Sequence, residues 1–144
     1  MNVLAEMFSV VGVVVAFSAV AVFFFLVKVL VNIYRLKLVK KHVRDSKECI
    51  TMLLTDELYV VCMNDYDKTI FPFLREEIVK CSLWDKLLTD YVVQLGKGYQ
   101  DSLISKQPVT MEYSINRDDD TVRLKLVFAP AFRSYVVCYI CLVP

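Results

Sequence analysis

The chain has 144 residues, 57% of them hydrophobic, and a formal net charge of +1. This length leaves room for one small domain beside an apolar run near the amino terminus. Residues 49–144 carry ten Lys and Arg against thirteen Asp and Glu, so this part lacks the basic face that nucleic-acid binding requires. We therefore expect no nucleic-acid partner.

Residues 7–27 form the apolar run, which has no charged side chain and is interrupted only by Ser9, Gly12 and Ser18. About 20 apolar residues suffice for a helix to cross a bilayer with its backbone hydrogen bonds satisfied internally. The preceding residues hold no Lys or Arg, unlike the basic start of a secretory signal peptide. We predict an uncleaved transmembrane anchor over residues 1–29, with the lipid bilayer as its partner.

Basic residues follow the apolar run at once, whereas Glu6 is the only charged residue before it. By the positive-inside rule, this asymmetry predicts that the amino terminus lies outside and the carboxyl-terminal domain in the cytoplasm. Alternatively, these residues stop transfer and bind anionic lipid headgroups, which gives the same topology. The membrane-proximal basic cluster consists of Lys28, Arg35, Lys37, Lys40, Lys41, Arg44 and Lys47.

Residues 30–54 contain no Gly or Pro and are rich in helix-forming Leu, Lys and Arg, which predicts an amphipathic linker helix. Apolar side chains recur at spacings of three and four, as in a short parallel coiled coil between two copies. Alternatively, this stripe packs on the chain's own domain or lies on the membrane. The predicted dimer stripe consists of Leu36, Val39, Val43, Ile50 and Leu53.

Residues 55–144 are expected to form an α+β domain. Residues 57–63 and 69–74 are rich in β-branched and aromatic side chains, which favours two strands joined by a polar turn at residues 64–68. Residues 75–95 place apolar side chains at helical spacing, which predicts one or two helices. Gly96-Lys97-Gly98 is expected to end this helical part, and residues 99–105 are expected to add a final helical turn.

The last third contains three predicted strands. Residues 109–115 and 122–128 alternate apolar and polar side chains, as half-buried strands do, and residues 116–120 form a polar hairpin loop between them. Ala129-Pro130 is expected to break the second of these strands. Residues 135–143 are nearly all apolar, which predicts a central strand buried on both faces. The order β-β-α-β-β-β gives a five-stranded antiparallel sheet with helices on one face.

This strand order resembles that of the PAS sensor fold. The resemblance covers roughly residues 53–144, and includes the polar turn at residues 64–70 and the long hairpin between the penultimate strands. Lys68 and Pro72 depart from the usual PAS pattern, which commonly has a turn glycine at the first of these positions. The resemblance implies that the last strand lies centrally, between the first and the fourth. It also implies an input or dimerisation module that binds a small ligand between helices and sheet.

Aromatic side chains in the first half of the domain could line such a pocket, because ligand pockets are mostly apolar. The same side chains could equally form an ordinary core. The candidate pocket residues are Phe71, Phe73, Cys81, Trp84 and Tyr91.

The five cysteines are odd in number and irregularly spaced, which favours reduced, buried thiols over a disulfide framework. Cys138 and Cys141 have the spacing of zinc and redox sites, but residues three apart in a strand point to opposite faces. Asp118 to Asp120 are expected to be a solvated hairpin tip. We therefore expect no metal site and no cofactor.

His42 is the only histidine, and it lies in the basic stretch near the membrane. A Ser-His-Asp or Cys-His catalytic arrangement in the domain is therefore not expected, and we predict that the chain is not an enzyme.

Two functions fit these features. The first is a membrane-anchored cytoplasmic sensory or regulatory module that acts through dimerisation or partner docking, with a small-ligand pocket as an additional feature. The second is a single-span accessory subunit of a larger membrane complex, with the domain as a structural dock. The predicted partners are accordingly a second copy of the chain or a membrane-complex partner.

Overall fold

The computed structural model describes residues 2–64, 78–85, 89–117 and 120–144. These residues divide into two units, residues 1–38 and residues 39–144. The secondary structure is α+β, as the sequence predicts. The predicted strand at residues 69–74, most of the polar turn before it, and the tip of the last hairpin lie outside the described residues.

Helix α1 (Asn2–Asp45) contains the apolar run. Its side chains are exposed from Asn2 to Lys28, although most of them are apolar. By length and composition, this helix is suited to cross a membrane. The Ser18 hydroxyl donates to the Val14 carbonyl oxygen at 2.9 Å, so this polar side chain is satisfied within its own helix.

The linker helix ends earlier than the sequence predicts. Helix α1 stops at Asp45, and strand β1 (Ile50–Thr55) occupies the residues that we expected to be helical. The first five residues of β1 are buried, because β1 is an inner strand and the side chains on both of its faces are covered. Burial in the sheet therefore overrides the helix propensity of this stretch.

The first hairpin is displaced along the chain as a consequence. Strand β2 (Tyr59–Met63) pairs antiparallel with β1, so the predicted first strand is in fact the second. The turn between them lies at Asp56, Glu57 and Leu58, and not at the predicted residues 64–68. Glu57 and Leu58 both have left-handed φ angles, of 59° and 54°, a conformation that is common in the loops of antiparallel hairpins.

The central helical part consists of a short 3₁₀ turn (Leu83–Asp85) and helix α2 (Thr89–Ser105). The prediction that Gly96-Lys97-Gly98 ends the helix is wrong, because α2 continues for seven residues beyond Gly98. Both glycines lie inside the helix.

The last three strands are β3 (Val109–Arg117), β4 (Asp120–Phe132) and β5 (Tyr135–Leu142). Pro130 does not break the second of these strands. It causes a local register shift, and pairing with β5 resumes at Phe132.

Among the described residues, five strands form one antiparallel sheet in the order β2-β1-β5-β4-β3. Strand β5 lies between β1 and β4, as the resemblance to the PAS fold implies. Helix α2 packs on one face, which we call the inner face. The buried side chains of this core include Met52, Leu54, Val92, Leu95, Phe128, Val136, Cys138 and Ile140.

Neighbouring residues on the same strands point to the opposite, outer face. Leu53 and Val137 alternate with inner-face residues, yet their exposed fractions are only 0% and 5%. Val43, in the last turns of α1, is also fully buried. The domain thus has a second buried layer on the outer face, besides the core beneath α2.

Candidate functional site

The connection between the end of α1 and the sheet contains a group of buried hydrogen bonds. The backbone N–H of Ser46 still donates to the His42 carbonyl oxygen at 3.2 Å, and β1 begins four residues later at Ile50. We call the residues that fix this connection the junction cluster. They are His42, Ser46, Cys49, Thr51, Asn64 and Tyr139.

Asn64 is the centre of the junction cluster. It follows β2 directly and is 1% exposed. Its Nδ2 donates to the carbonyl oxygens of Cys49 at 2.7 Å and Ser46 at 3.0 Å, while its Oδ1 accepts from the Thr51 backbone N–H at 2.9 Å. Because a buried amide without partners is costly, these bonds make one conformation of the loop strongly preferred.

Thr51 completes the contacts around Asn64. Its carbonyl oxygen accepts from the Asn64 backbone N–H at 3.0 Å, and its hydroxyl donates to the Ser46 Oγ at 2.8 Å. Thr51 is itself fully buried. The loop of residues 46–49 is therefore held by side chains from both β1 and the residue after β2.

His42 connects the last turn of α1 to the central strand. Its Nε2 lies 2.8 Å from the Tyr139 Oη, and the two rings meet edge to face with centroids 6.2 Å apart. Burial, and to a lesser extent the nearby Cys49, raises the pKa of the Tyr139 phenol. The phenol therefore stays protonated at neutral pH and is available as a hydrogen-bond donor to the imidazole.

A second polar cluster fixes helix α2 at the opposite end of β1. The Tyr99 hydroxyl donates to the Ser134 carbonyl oxygen at 2.6 Å and lies 3.4 Å from an Asp56 carboxylate oxygen. Burial, followed by the charge of Asp56, raises the pKa of Tyr99 to about 12. This tyrosine thus ties α2 to the β4–β5 turn and to the first hairpin.

The fold now places the described domain among known structures. The Rhodobacter sphaeroides LOV protein is 12% identical, with a TM-score of 0.57 over 77% of this chain and 68% of that chain. A sensory box sensor histidine kinase from Vibrio cholerae is 13% identical, with a TM-score of 0.55 over 81% and 98% of the two chains. The PAS domain of a Colwellia psychrerythraea protein is 10% identical, with a TM-score of 0.55 over 75% and 96%.

The domain has the PAS fold. At these low identities the likeness concerns the fold alone. Neither a protein-family model nor a curated protein sequence matches the chain.

The predicted pocket residues of the PAS-fold domain lie apart from one another where they are described. Trp84 is 49% exposed and lies beside Gly96 on α2, near the first hairpin. Tyr91 packs edge to face on Tyr113 of β3, at the other edge of the sheet. The Cys81 carbonyl oxygen accepts from the Val60 backbone N–H at the β2 edge. Phe71 and Phe73 lie outside the described residues, so the ligand pocket stays a prediction.

The helix–sheet interface of the PAS-fold domain is filled at Gly98. A Cβ atom at this position would overlap the Phe128 ring and would lie 2.8 Å from the Met111 sulfur. Gly98 is therefore required because the α2 backbone approaches the sheet closely there. At this point no space remains for a ligand between α2 and β4.

The dimer stripe is corrected by the fold. Ile50 and Leu53 belong to β1 and are buried in the sheet, so they cannot continue a helical stripe. Val43 is buried within the domain that contains residues 39–144, which agrees with the alternative that this stripe packs on the chain's own domain. Leu36 and Val39 are half-buried.

The basic cluster lies on α1, apart from Lys47, which lies in the loop after it.

The two cysteines of the CxxC pair point to opposite faces, as predicted. Cys138 belongs to the inner core and is fully buried, and this burial raises its pKa. Cys141 is three residues further along β5 and therefore lies on the outer face.

Over residues 2–64, 78–85, 89–117 and 120–144, no three His, Cys, Asp or Glu side chains cluster as metal ligands.

Sequence reasoning missed Asn64 and Thr51 as positioning residues. Asn64 reads as the first residue of a polar turn, and Thr51 as part of a helix. The available signal is an amide side chain directly after a buried apolar strand, where a solvated residue would be usual. Only the pairing of β1 with β2 shows that this amide faces the loop after α1.

Proposed function

We propose that the chain is a membrane-anchored regulatory module whose PAS-fold domain is coupled to its helix α1 through the junction cluster. The domain acts by dimerisation or by docking of a partner, and its state depends on how the end of α1 is held against the sheet. The role is sensory rather than catalytic.

The observation that carries this proposal is the set of buried hydrogen bonds around Asn64. A loop without such bonds would let the last turns of α1, residues 39–45, move independently of the sheet. Here Asn64 fixes the carbonyl oxygens of Ser46 and Cys49, and Val43 is buried in the same domain. Displacement of the last turn of α1 would therefore disturb β1 and β5, which carry Thr51 and Tyr139.

The apolar half of α1 supports the anchoring part of the proposal. Twenty-one consecutive residues without a charge are followed by seven basic residues before position 48. By the positive-inside rule, this pattern supports a cytoplasmic position for the domain. A carboxyl-terminal fusion to green fluorescent protein should fluoresce in bacterial cells, whereas a fusion to alkaline phosphatase should be inactive. The opposite result would contradict this orientation.

The experiment that tests the functional proposal is a mass measurement on the full chain, extracted from its native membranes with a mild detergent. A homodimer, measured by light scattering with correction for detergent, is the expected result. A single copy without any bound partner would contradict both dimerisation and docking.

A stoichiometric complex with several other proteins would instead support the accessory-subunit alternative. The close packing of Gly98 on Phe128 favours this alternative over ligand sensing, because the helix–sheet interface is filled there. The Asn64→Ala variant separates the two functions. A regulatory module should lose signalling while it remains at the membrane, whereas an accessory subunit should lose its place in the complex.

A further inference from the structure

We propose that Cys49 and Cys141 form a reversible cross-strand disulfide when a hydroperoxide oxidises them. The bond would join the loop after α1 to the central strand of the sheet. This chemistry depends on the geometry of the two strands and not on the proposed function.

The strand register places the two cysteines opposite each other. Ile50 pairs with Ile140 and Thr51 pairs with Tyr139 in the antiparallel ladder of β1 and β5. One step before Ile50 is Cys49, and one step beyond Ile140 is Cys141. Cys49 directly precedes β1, and its Sγ lies 3.9 Å from the Thr51 Oγ1, which puts it on the outer face beside Thr51. Cys141 is two residues from Tyr139 in β5 and therefore points to the same face.

The direction of the backbone hydrogen bonds shows which kind of pair this is. The N–H and the carbonyl oxygen of Thr51 both bond to Asn64, so both point away from β5. Thr51 and Tyr139 are therefore a non-hydrogen-bonded pair, and so is the pair two residues along, Cys49 and Cys141. Such pairs have Cα atoms about 4.5 Å apart, which lies within the range of about 4.4–6.8 Å for disulfides.

The surroundings of the two thiols are consistent with this pairing. Cys49 is 5% exposed, whereas Cys141 is only half-buried and can be reached by a small oxidant. Burial, and then a hydrogen bond with Cys49, raises the pKa of Cys141, while the nearby Lys125 lowers it and Glu48 raises it. The two thiols thus lie close together, and the raised pKa keeps the Cys141 thiol protonated at neutral pH.

The chemistry balances with one hydroperoxide for each disulfide. The thiolate of Cys141 attacks the peroxide, which cleaves the O–O bond and gives a sulfenic acid, with water as the product when the oxidant is hydrogen peroxide. The Cys49 sulfur then attacks this sulfenic sulfur, the S–S bond forms, and a second water leaves. Two thiols are oxidised by two electrons in total, and a dithiol reductant restores them.

The test uses the full chain in detergent micelles, treated with hydrogen peroxide at pH 8, blocked with N-ethylmaleimide and digested with trypsin. Cys49 and Cys62 fall in the peptide of residues 48–68, whereas Cys138 and Cys141 fall in the peptide of residues 134–144. We expect these two peptides to be linked, with the loss of two hydrogen atoms. Fragmentation should assign the bond to Cys49 and Cys141, and dithiothreitol should reverse it.

Matched variants identify the participating sulfurs independently. Cys49→Ser and Cys141→Ser should abolish the linked peptide, while Cys62→Ser and Cys138→Ala should retain it. The rate of linkage should rise about tenfold from pH 7 to pH 8, because the thiolate is the nucleophile. The groups around it are Cys49, Lys125, Glu48 and Tyr139.

Three results would overturn the proposal. They are the absence of a linked peptide in the oxidised wild-type chain, a linkage that persists in Cys141→Ser, and a disulfide between two chains. Because the wild-type map assigns the bond by itself, a variant that fails to fold does not prevent a decision.

Discussion

Gly98 shows how one missing side chain sets the distance between α2 and the sheet. In Gly98→Ala, the new methyl group would overlap Phe128 and approach Met111. We expect a loss of about 1–3 kcal/mol in the free energy of unfolding, because overpacking outweighs the better helix propensity of alanine. Thermal unfolding of the full chain in detergent, followed by Trp84 fluorescence, measures the change.

Gly96→Ala is the matched control in the same helix. The nearest atoms to a Cβ at this position are a Trp84 carbon at 3.7 Å and a Leu58 carbon at 3.8 Å, which is ordinary contact. This variant should gain up to about 1 kcal/mol from helix propensity. Equal effects of the two substitutions would contradict the packing explanation.

Tyr99 contributes to stability in a pH-dependent way. Its folded pKa of about 12 exceeds the ordinary value of 10.0, so the folded state holds its proton more tightly than the unfolded state. Its contribution is therefore complete below pH 10 and is lost as the pH rises from 10 to 12. Tyr99→Phe should lower the free energy of unfolding by about 1 kcal/mol at neutral pH, because the hydrogen bond to Ser134 is lost. The variant should also lose less stability than the wild type as the pH rises from 10 to 12.

Denaturant unfolding at several pH values between 7 and 12 measures this difference. Tyr34→Phe is the control, because Tyr34 is exposed on α1. An alkaline decline as steep in Tyr99→Phe as in the wild type would show that other groups cause it.

At the scale of elements, the loop after α1 depends on Asn64. Asn64→Ala would leave the Thr51 N–H and the Ser46 carbonyl oxygen without their partner, and the Cys49 carbonyl oxygen would keep only the Thr51 hydroxyl at 3.3 Å. We expect a loss of about 3 kcal/mol in the free energy of unfolding, because two buried backbone groups become unsatisfied and a third loses its shorter bond. Hydrogen exchange should become faster at residues 46–51, while α2 should be less affected.

Asn64→Asp is a second test of the Asn64 hydrogen bonds, and Gln94→Ala is the control. The aspartate keeps the acceptor for Thr51 but places a carboxylate oxygen against two carbonyl oxygens, so it should also destabilise the loop. Gln94 carries an exposed amide on α2, and its removal should change stability by less than about 0.5 kcal/mol. Similar values for Asn64→Ala and Gln94→Ala would contradict the role of the junction cluster.

The first hairpin illustrates what could and could not be predicted at this scale. Residues 50–54 suit a helix by local propensity, and no Gly or Pro marks a boundary. They form β1 because β2 and β5 pair with their backbone on both sides, which is a non-local effect. Strands β3, β4 and β5 were predictable, because their alternation or continuous apolarity reflects how each is buried.

At the scale of the whole molecule, the proposed membrane anchoring depends on the apolarity of residues 7–27. Val15→Arg combined with Phe17→Arg places two charges at the centre of the run. Each charge should raise the free energy of membrane insertion by about 3 kcal/mol. We expect the wild type to stay with the membrane fraction after carbonate extraction and the double variant to be released. Val15→Leu combined with Phe17→Leu is the control and should behave as the wild type. Retention of the charged variant would contradict anchoring by α1.

The sequence by itself determined the apolar run, the charge asymmetry after it, the α+β class and the central position of β5. These features follow from composition and local periodicity, which depend only on neighbouring residues. The tertiary structure decided where α1 ends, which strand comes first, why Gly98 is a glycine and what Asn64 bonds to. Each of these depends on contacts between residues distant in the chain, because buried backbone and amide groups take whichever partners the sheet brings to them.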